Sequence, residues 1–395
     1  MTRLWEKGLP LDERVLQYTA GEDHLLDARL VAHDIRGCIA HAGMLAEQNL
    51  LSSDDFAAIC RGLTELGEEF AAGQWQIELT DEDAHTAIES RLTEKIGEAG
   101  GRLHLGRSRN DQVLTALRLY LLDASAEVGG SIAGLCDALD GLAARQGDVG
   151  LPGYTHMQHA MPSSVGLWCA GFRSAFDDAI AGLHSARRRI DQNPLGSAAG
   201  YGAPGLPLDR ESTTAKLGFA VTQEPVTAVQ LSRGKGEAGL LFELTLLLTD
   251  LGRLASDLLL FYTQEFGYVR LAPQVTTGSS IMPQKRNPDV LELIRASGAT
   301  AQASLMECLA LIAKLPSGFQ RDMQRMKAPL FRTIDLAVDS VDIMAYLLST
   351  LEFVPDRIEL DESLHAAGEA NAMVMSEGIP FREAYRRVAQ KYAAD

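Results

Sequence analysis

The sequence predicts an all-α protein built on a bundle of very long helices. Three observations carry that prediction. Apolar residues recur at three- and four-residue spacing through most of the chain, which is the helical period. Alternating runs of the kind that make half-buried strands are almost absent. Glycine and proline cluster at 149–153, 193–207, 267–288 and 316–318, between the periodic stretches rather than within them.

Taken in order, "HLLDARLVAHDIRGCIAHAGMLAEQNLL" carries the helical spacing. "SSDDFAAICRGLTELGEEFAAG" opens on a Ser/Asp cap signal and closes near a glycine, and "DEDAHTAIESRLTEKIGEAGG" repeats that plan. No proline interrupts "NDQVLTALRLYLLDASAEVGGSIAGLCDALDGLAARQ", so it reads as one very long helix, with Asn110 or Asp111 as its cap. The stretch from Leu231 to Phe266 also lacks proline. Fully helical, it would span roughly 54 Å at about 1.5 Å per residue. It is apolar on nearly every face from Leu240 to Leu260, and such a helix must be covered all round. Helices of neighbouring subunits are the simplest cover, so a homo-oligomer with a helical-bundle core is expected. A large monomeric bundle is the alternative.

The chain has 395 residues, long for one core, so two or three domains are expected. A formal charge of -17 sets the surface against phosphate backbones and anionic lipid. Neither nucleic acid nor a membrane surface is therefore an expected partner. Cys38, Cys60, Cys136, Cys169 and Cys308 are scattered, odd in number and without a C-x-x-C pair, the pattern of buried free thiols in a reducing compartment. The N-terminus lacks the apolar core of a signal peptide, and Glu243, Asp250, Arg253 and Asp257 break the most apolar stretch. The expectation is a soluble, cytoplasmic chain.

Polar constellations interrupt the helices. "GRSRNDQV" places Arg107, Arg109 and Asn110 in a short turn before a helix. Arginine forks and helix-start amides suit a carboxylate; a capped helix start with solvated arginines fits the spacing equally. "PGYTHMQHAMP" brackets His156 and His159 with prolines, and either histidine suits proton transfer or an ordinary core role. No third ligand stands nearby at metal spacing, so no metal site is expected. "GSSIMPQKRNPD" delivers small hydroxyls and the cations Lys285 and Arg286 to the head of a helix, since Pro283 and Pro288 prevent helix through the segment. A mobile loop carrying cations is a candidate lid over an anionic substrate. In "PSGFQRDMQRMKAP", Arg321, Arg325 and Lys327 form either a solvated face or part of a carboxylate pocket.

Together these stretches resemble a known family. "GSSIMPQKRNPD" is similar to the signature of the fumarase/aspartase superfamily. "GRSRNDQV", "PGYTHMQHAMP" and "DEDAHTAIESRL" narrow the resemblance to the argininosuccinate lyase family, running from "LWEKG" to "GIPFREAYRRV". The resemblance implies β-elimination of argininosuccinate to arginine and fumarate, in arginine biosynthesis. It implies no redox cofactor or metal, because no oxidation state changes. It implies a three-domain fold whose central helices are shared in a homotetramer, with each active site drawn from three subunits. Domains are expected at 1–105 (N-terminal, helical), 106–353 (long-helix bundle) and 354–395 (small, helical and shortened relative to the family).

By the same resemblance, Ser279 is the general base, His156 the acid partner and Glu292 the carboxylate that pairs with it. Lys285 favours the serine alkoxide and steadies the aci-carboxylate. Asn110, Thr155, Asn287, Gln324 and Lys327 fall on substrate-binding positions, and Arg109 and His85 lie in matched motifs. Two departures stand out. Phe319 replaces a tyrosine that commonly contacts substrate, and "TAGEDHLLD", with Asp23, replaces a serine-containing substrate loop. The alternatives are another fumarate-releasing lyase of the superfamily (adenylosuccinate lyase, fumarase or aspartase) and a catalytically silent, crystallin-like relative.

Overall fold

The computed structural model describes residues 12–392, so the "LWEKG" segment of the resemblance lies outside the described residues. Two compact units divide the chain. The first takes in residues up to Glu127, Leu183–Glu243 and Gln302–Ile334; the second takes in Val128–Gly182, Leu244–Ala301 and Asp335 onward.

In the first unit, helices Val31–Glu47, Ser53–Ala71 and Ala84–Ile96 close around Leu45, Ile59, Leu63, Ile88 and Leu92. Their starts follow from local chemistry. Ser52 Oγ accepts the Asp55 N–H at 3.1 Å, and Asp83 Oδ1 accepts the Thr86 N–H at 3.0 Å, each satisfying a donor that the first turn leaves open. Gly62 is required by packing: a Cβ there would stand 2.8 Å from Leu92.

Five long helices supply both units with their cores: Arg109–Gln146, Val165–Ile190, Lys235–Tyr262, Asp289–Ile312 and Lys327–Thr350. The first is one helix, as the missing proline predicts, but its cap is Ser108 rather than Asn110 or Asp111. Ser108 Oγ accepts the Asn110 N–H at 3.3 Å, while Asp111 Oδ1 accepts the Ser108 N–H at 2.9 Å. The two side chains cap the helix start reciprocally, two to three residues before the expected cap. In the second unit, Ile132, Leu135, Leu139 and Leu142 form one buried stripe, and Leu244, Leu247, Leu251, Leu254 and Leu258 form another. Helices Ala366–Glu377 and Phe381–Tyr392 pack on Ala370, Ala384 and Val388.

The Lys235–Tyr262 helix is not covered on every face in a single chain. Phe242 and Leu246 are about half exposed and, with Thr249, Arg253 and Ser256, form an open stripe at three- and four-residue spacing. Among the described residues no helix is long and apolar enough to cross a membrane. All five cysteines are free; Cys60 is only half-buried, and burial raises the pKa of each thiol.

The additions to the helical plan are short two-stranded ribbons. Gly150–Thr155 pairs antiparallel with Gln158–Ser164, and Thr277–Gly278 with Arg286–Asn287. Each carries one of the polar stretches.

Leu251 is fully buried in the second unit. Leu251→Ala is expected to cost about 3 kcal/mol by loss of transfer energy and a residual cavity, seen as a lower urea midpoint with an unchanged slope.

Candidate active site

The first unit holds a small cleft of about 90 Å³. Three of its cations are neutralised from within the protein. Lys327, 4% exposed at the head of its helix, places Nζ 2.5 Å from Asp27 Oδ1 and 3.2 Å from Asp23 Oδ2. Arg109 forks onto Asp83, with Nε 2.6 Å from Oδ2, and reaches Glu82 at 3.5 Å. Arg321 reaches Glu82 at 3.5 Å and donates to the Thr19 carbonyl at 2.8 Å. Gln324 Nε2 donates to the same carbonyl at 2.8 Å, and its Oε1 accepts from Arg321 Nε at 3.0 Å. Asn110, Asp23, Asp83, Arg233 and Phe319 complete the polar and aromatic lining.

Burial would lower the pKa of Lys327, but the Asp27 and Asp23 carboxylates outweigh it, so the ammonium keeps its charge. One cation facing two carboxylates leaves a charge over. Asp23 carries the consequence: burial first, with Asp27 and Asp83 adding repulsion, pushes its carboxyl up to about 7 against the pull of Lys327.

His85 lies behind the cleft rather than in its lining. Its Nδ1 is 2.6 Å from Asp34 Oδ2, and Gln112 Nε2 donates to Asp34 Oδ1 at 3.0 Å. Burial opposes charge on both partners. His85, Gln112 and Arg107 outweigh it at Asp34 and hold its carboxyl below the usual range, while Asp34 outweighs it at His85 and raises the imidazole. Arg107 is buried with them, its Nη1 3.1 Å from Cys38 Sγ. Of the cations named in the sequence, Arg325 stays on an exposed face.

The second unit holds the other two stretches. Thr155 and Gln158 close the first ribbon, and His156 and Met157 form its two-residue turn with φ of 54° and 61°. Two positive φ values define the turn type whose twist matches a hairpin. For L residues that backbone costs about 1–2 kcal/mol each, and the exposed histidine is held at the tip despite it. His159 is occupied differently: its Nε2 is 3.0 Å from the Tyr154 hydroxyl, which also meets the Tyr268 hydroxyl at 3.2 Å.

In the second ribbon, Thr277 pairs with Asn287 and Gly278 with Arg286, leaving 279–285 as the loop. Ser279 Oγ accepts the Met282 N–H at 3.2 Å and the Ile281 N–H at 3.4 Å. Asn287 Nδ2 donates to the Gly278 carbonyl at 3.3 Å, and Thr277 bonds Asp289 at the start of the next helix. Lys285 and Glu292 are exposed. The structure thus gathers Arg109, Asn110, Gln324 and Lys327 in one cleft of the first unit. Thr155, His156, Ser279, Lys285, Asn287 and Glu292 all lie in the second. Within it, no hydrogen bond joins His156 to Ser279 or Glu292 among the described residues. Sequence reasoning missed Asp27, Glu82, Asp83 and Arg233. Asp27 lies in "TAGEDHLLD", Glu82 and Asp83 in "DEDAHTAIESRL", and Arg233 in the polar break "SRGKGE" before an apolar helix, and each stretch carried a signal that could have been followed.

A lyase family matches residues 11–302. The argininosuccinate lyase of Stenotrophomonas maltophilia (strain R551-3) is 44% identical over 392 residues, 98% of this chain and 90% of that protein. That of Thermotoga neapolitana is 39% identical over 402 residues, 100% of this chain and 99% of that protein. Among solved structures, an EDDS lyase variant with bound fumarate superposes with a TM-score of 0.80 at 26% identity, covering 97% of this chain and 76% of that one. A class II fumarase from Schistosoma mansoni shares the fold, with a TM-score of 0.79 at 20% identity over 98% of this chain and 91% of that one. This chain belongs to the lyase family, and within it to the argininosuccinate lyases.

An acid whose pKa rises on folding binds its proton more tightly folded than unfolded, so stability falls as pH climbs between the two values. For Asp23 that window runs from the ordinary carboxylate value of 3.8 to about 7. Lys327 stays protonated across it and adds no slope. Asp23→Asn is expected to flatten the decline in urea midpoint between those pH values; a variant with the wild-type slope would place the titration elsewhere.

Proposed function

We propose that this chain splits argininosuccinate into arginine and fumarate, with Ser279 as base, His156 as acid partner and Lys285 as the cation for the intermediate. The observation that carries the reading is similarity to argininosuccinate lyases along essentially the whole chain, with all three polar stretches intact.

The chemistry asks for what these residues carry. The carbon–hydrogen bond beside a carboxylate breaks first, and its electron pair moves into that carboxylate as an aci form. The pair then returns to form the fumarate double bond, and the carbon–nitrogen bond breaks toward the guanidinium. A serine removes the first proton only if its alkoxide is stabilised. The Ile281 and Met282 amides already aim at Ser279 Oγ, and oriented N–H donors stabilise negative charge at such an oxygen. Lys285 brings positive charge to the same loop. His156, on its strained turn, supplies the proton for the departing nitrogen, and Glu292 pairs with it. Asn110, Thr155, Asn287, Gln324, Lys327 and Arg109 bind substrate, and His85 braces the cleft through Asp34.

The active assembly is a homotetramer in the cytoplasm, with each site completed by residues of neighbouring copies. The open stripe of Phe242 and Leu246, together with exposed Leu293 and Met306 on the Asp289–Ile312 helix, supports that assembly. The division at 1–105, 106–353 and 354–395 belongs to the same reading.

Adding argininosuccinate to the purified protein is expected to raise the ultraviolet absorbance of fumarate, and Ser279→Ala to abolish the rise while leaving the assembly intact. Near-wild-type turnover in that variant would remove Ser279 as the base. Mixed under subunit exchange, inactive His156→Asn and Ser279→Ala proteins are expected to recover part of the activity. Proven exchange without recovery would argue for sites built within one chain.

A further inference from the structure

The ribbon that carries His156 is held by side chains as much as by its backbone. Its register is even from Gly150 to Gly153 and then shifts: Gly153 pairs with Met161 but Tyr154 with His159, which leaves Ala160 bulged out. Beyond the bulge only two pairs remain, Tyr154 with His159 and Thr155 with Gln158, before the turn at His156 and Met157. So short a two-stranded end is marginal by itself, and a bulge bends and twists the strand that carries it. Cross-strand side chains make up the difference. His159 Nε2 stands 3.0 Å from the Tyr154 hydroxyl, with the two rings edge to face at 5.0 Å. The same hydroxyl lies 3.2 Å from that of Tyr268. Tyr268 is buried, packs on Phe261 and Phe266, and accepts the Val354 N–H through its carbonyl at 2.8 Å. Tyr154 also meets Phe266 edge to face. Burial, with the Tyr268 hydroxyl beside it, raises the pKa of Tyr154, so its phenol stays protonated and can donate to one neighbour while accepting from the other.

We propose that His159 is a positioning residue for the reaction, acting through Tyr154 and Tyr268 to fix the ribbon tip and with it the direction of His156. This role rests on the function proposed above and adds a residue to it. Three positions separate the two histidines, yet the turn gives them different tasks. His156 stays exposed at the tip, while His159 is engaged one pair behind the turn's closing pair. An imidazole that hands a proton to a departing nitrogen must be closely aimed, since a misplacement of about 1 Å costs large factors in rate. Two backbone pairs beyond a bulge are a loose mount for it, and the hydroxyl chain ties that mount to a buried wall. His159 is itself exposed, and exposed contacts add little to global stability. Loss of the brace therefore shows in turnover before it shows in folding.

The test measures fumarate release from argininosuccinate and backbone hydrogen exchange, both in the assembled protein. Tyr154→Phe removes both hydrogen bonds and keeps the ring. It is expected to lower kcat about ten-fold with KM within about two-fold, and to speed amide exchange over residues 154–161. His159→Leu is expected to do the same, and His159→Gln, which keeps a polar end, to recover part of kcat. The double variant Tyr154→Phe/His159→Leu is expected to be no slower than the slower single, because both changes remove one interaction. A purely structural role would instead lower the urea midpoint and leave the kcat of the folded enzyme intact. Wild-type kcat in both single variants would overturn the proposal, as would a double variant whose loss is the product of the single losses. Wild type that released no fumarate would remove the proposed activity. Unchanged exchange over 154–161 in both single variants would remove the brace whatever the activity, so the two failures are distinct.

Discussion

A buried ammonium must find its counter-charge within hydrogen-bond reach, and much of the first unit is arranged around that demand. Lys327 and Asp27 are 300 residues apart in the chain and 2.5 Å apart in space. Removing either partner would leave an uncompensated charge in a dry site, which costs far more than the pair contributes. The pair therefore ties the head of the Lys327–Thr350 helix to the segment that leads into Val31–Glu47. It also sets the electrostatics of the cleft. With Lys327 drawn closest to Asp27, burial and the neighbouring carboxylates push the Asp23 carboxyl up to about 7.

The two units solve different problems. The first is a dry, interlocked set of charges: Lys327 with its two aspartates, Arg109 with Asp83, and His85 with Asp34. Such a network is rigid because each member is needed by another. The second carries the groups proposed for the chemistry on exposed ribbons, His156 on a tight turn and Ser279 on a short loop. Groups that carry out chemistry on a bound molecule need access, and a ribbon fixes the ends of a loop while leaving its tip free.

The departures at Asp23 and Phe319 belong together. Both line the same cleft, on either side of Arg233 in the chain, and each changes what surrounds that guanidinium. Asp23 supplies a carboxylate within 3.2 Å of Lys327. The phenyl ring of Phe319 offers a face without a competing polar group.

Along the chain, the sequence by itself determined most of the helices and the polar stretches that interrupt them, but not every start: the run read from Leu231 breaks at 232–234, and its long helix begins at Lys235. Those features are local: periodicity, caps and proline restrictions act within a few residues. Ser52, Asp83 and the proline-free run after Arg109 show how far local rules reach. The strands carrying His156 and Ser279 escaped them, because a two-stranded ribbon of mixed polarity has no apolar alternation to read. Only the tertiary structure decided which charges meet. Nothing near Lys327 in sequence points to Asp27. Ion pairing in a low-dielectric interior depends on distance in space, and that distance is fixed by how the long helices pack.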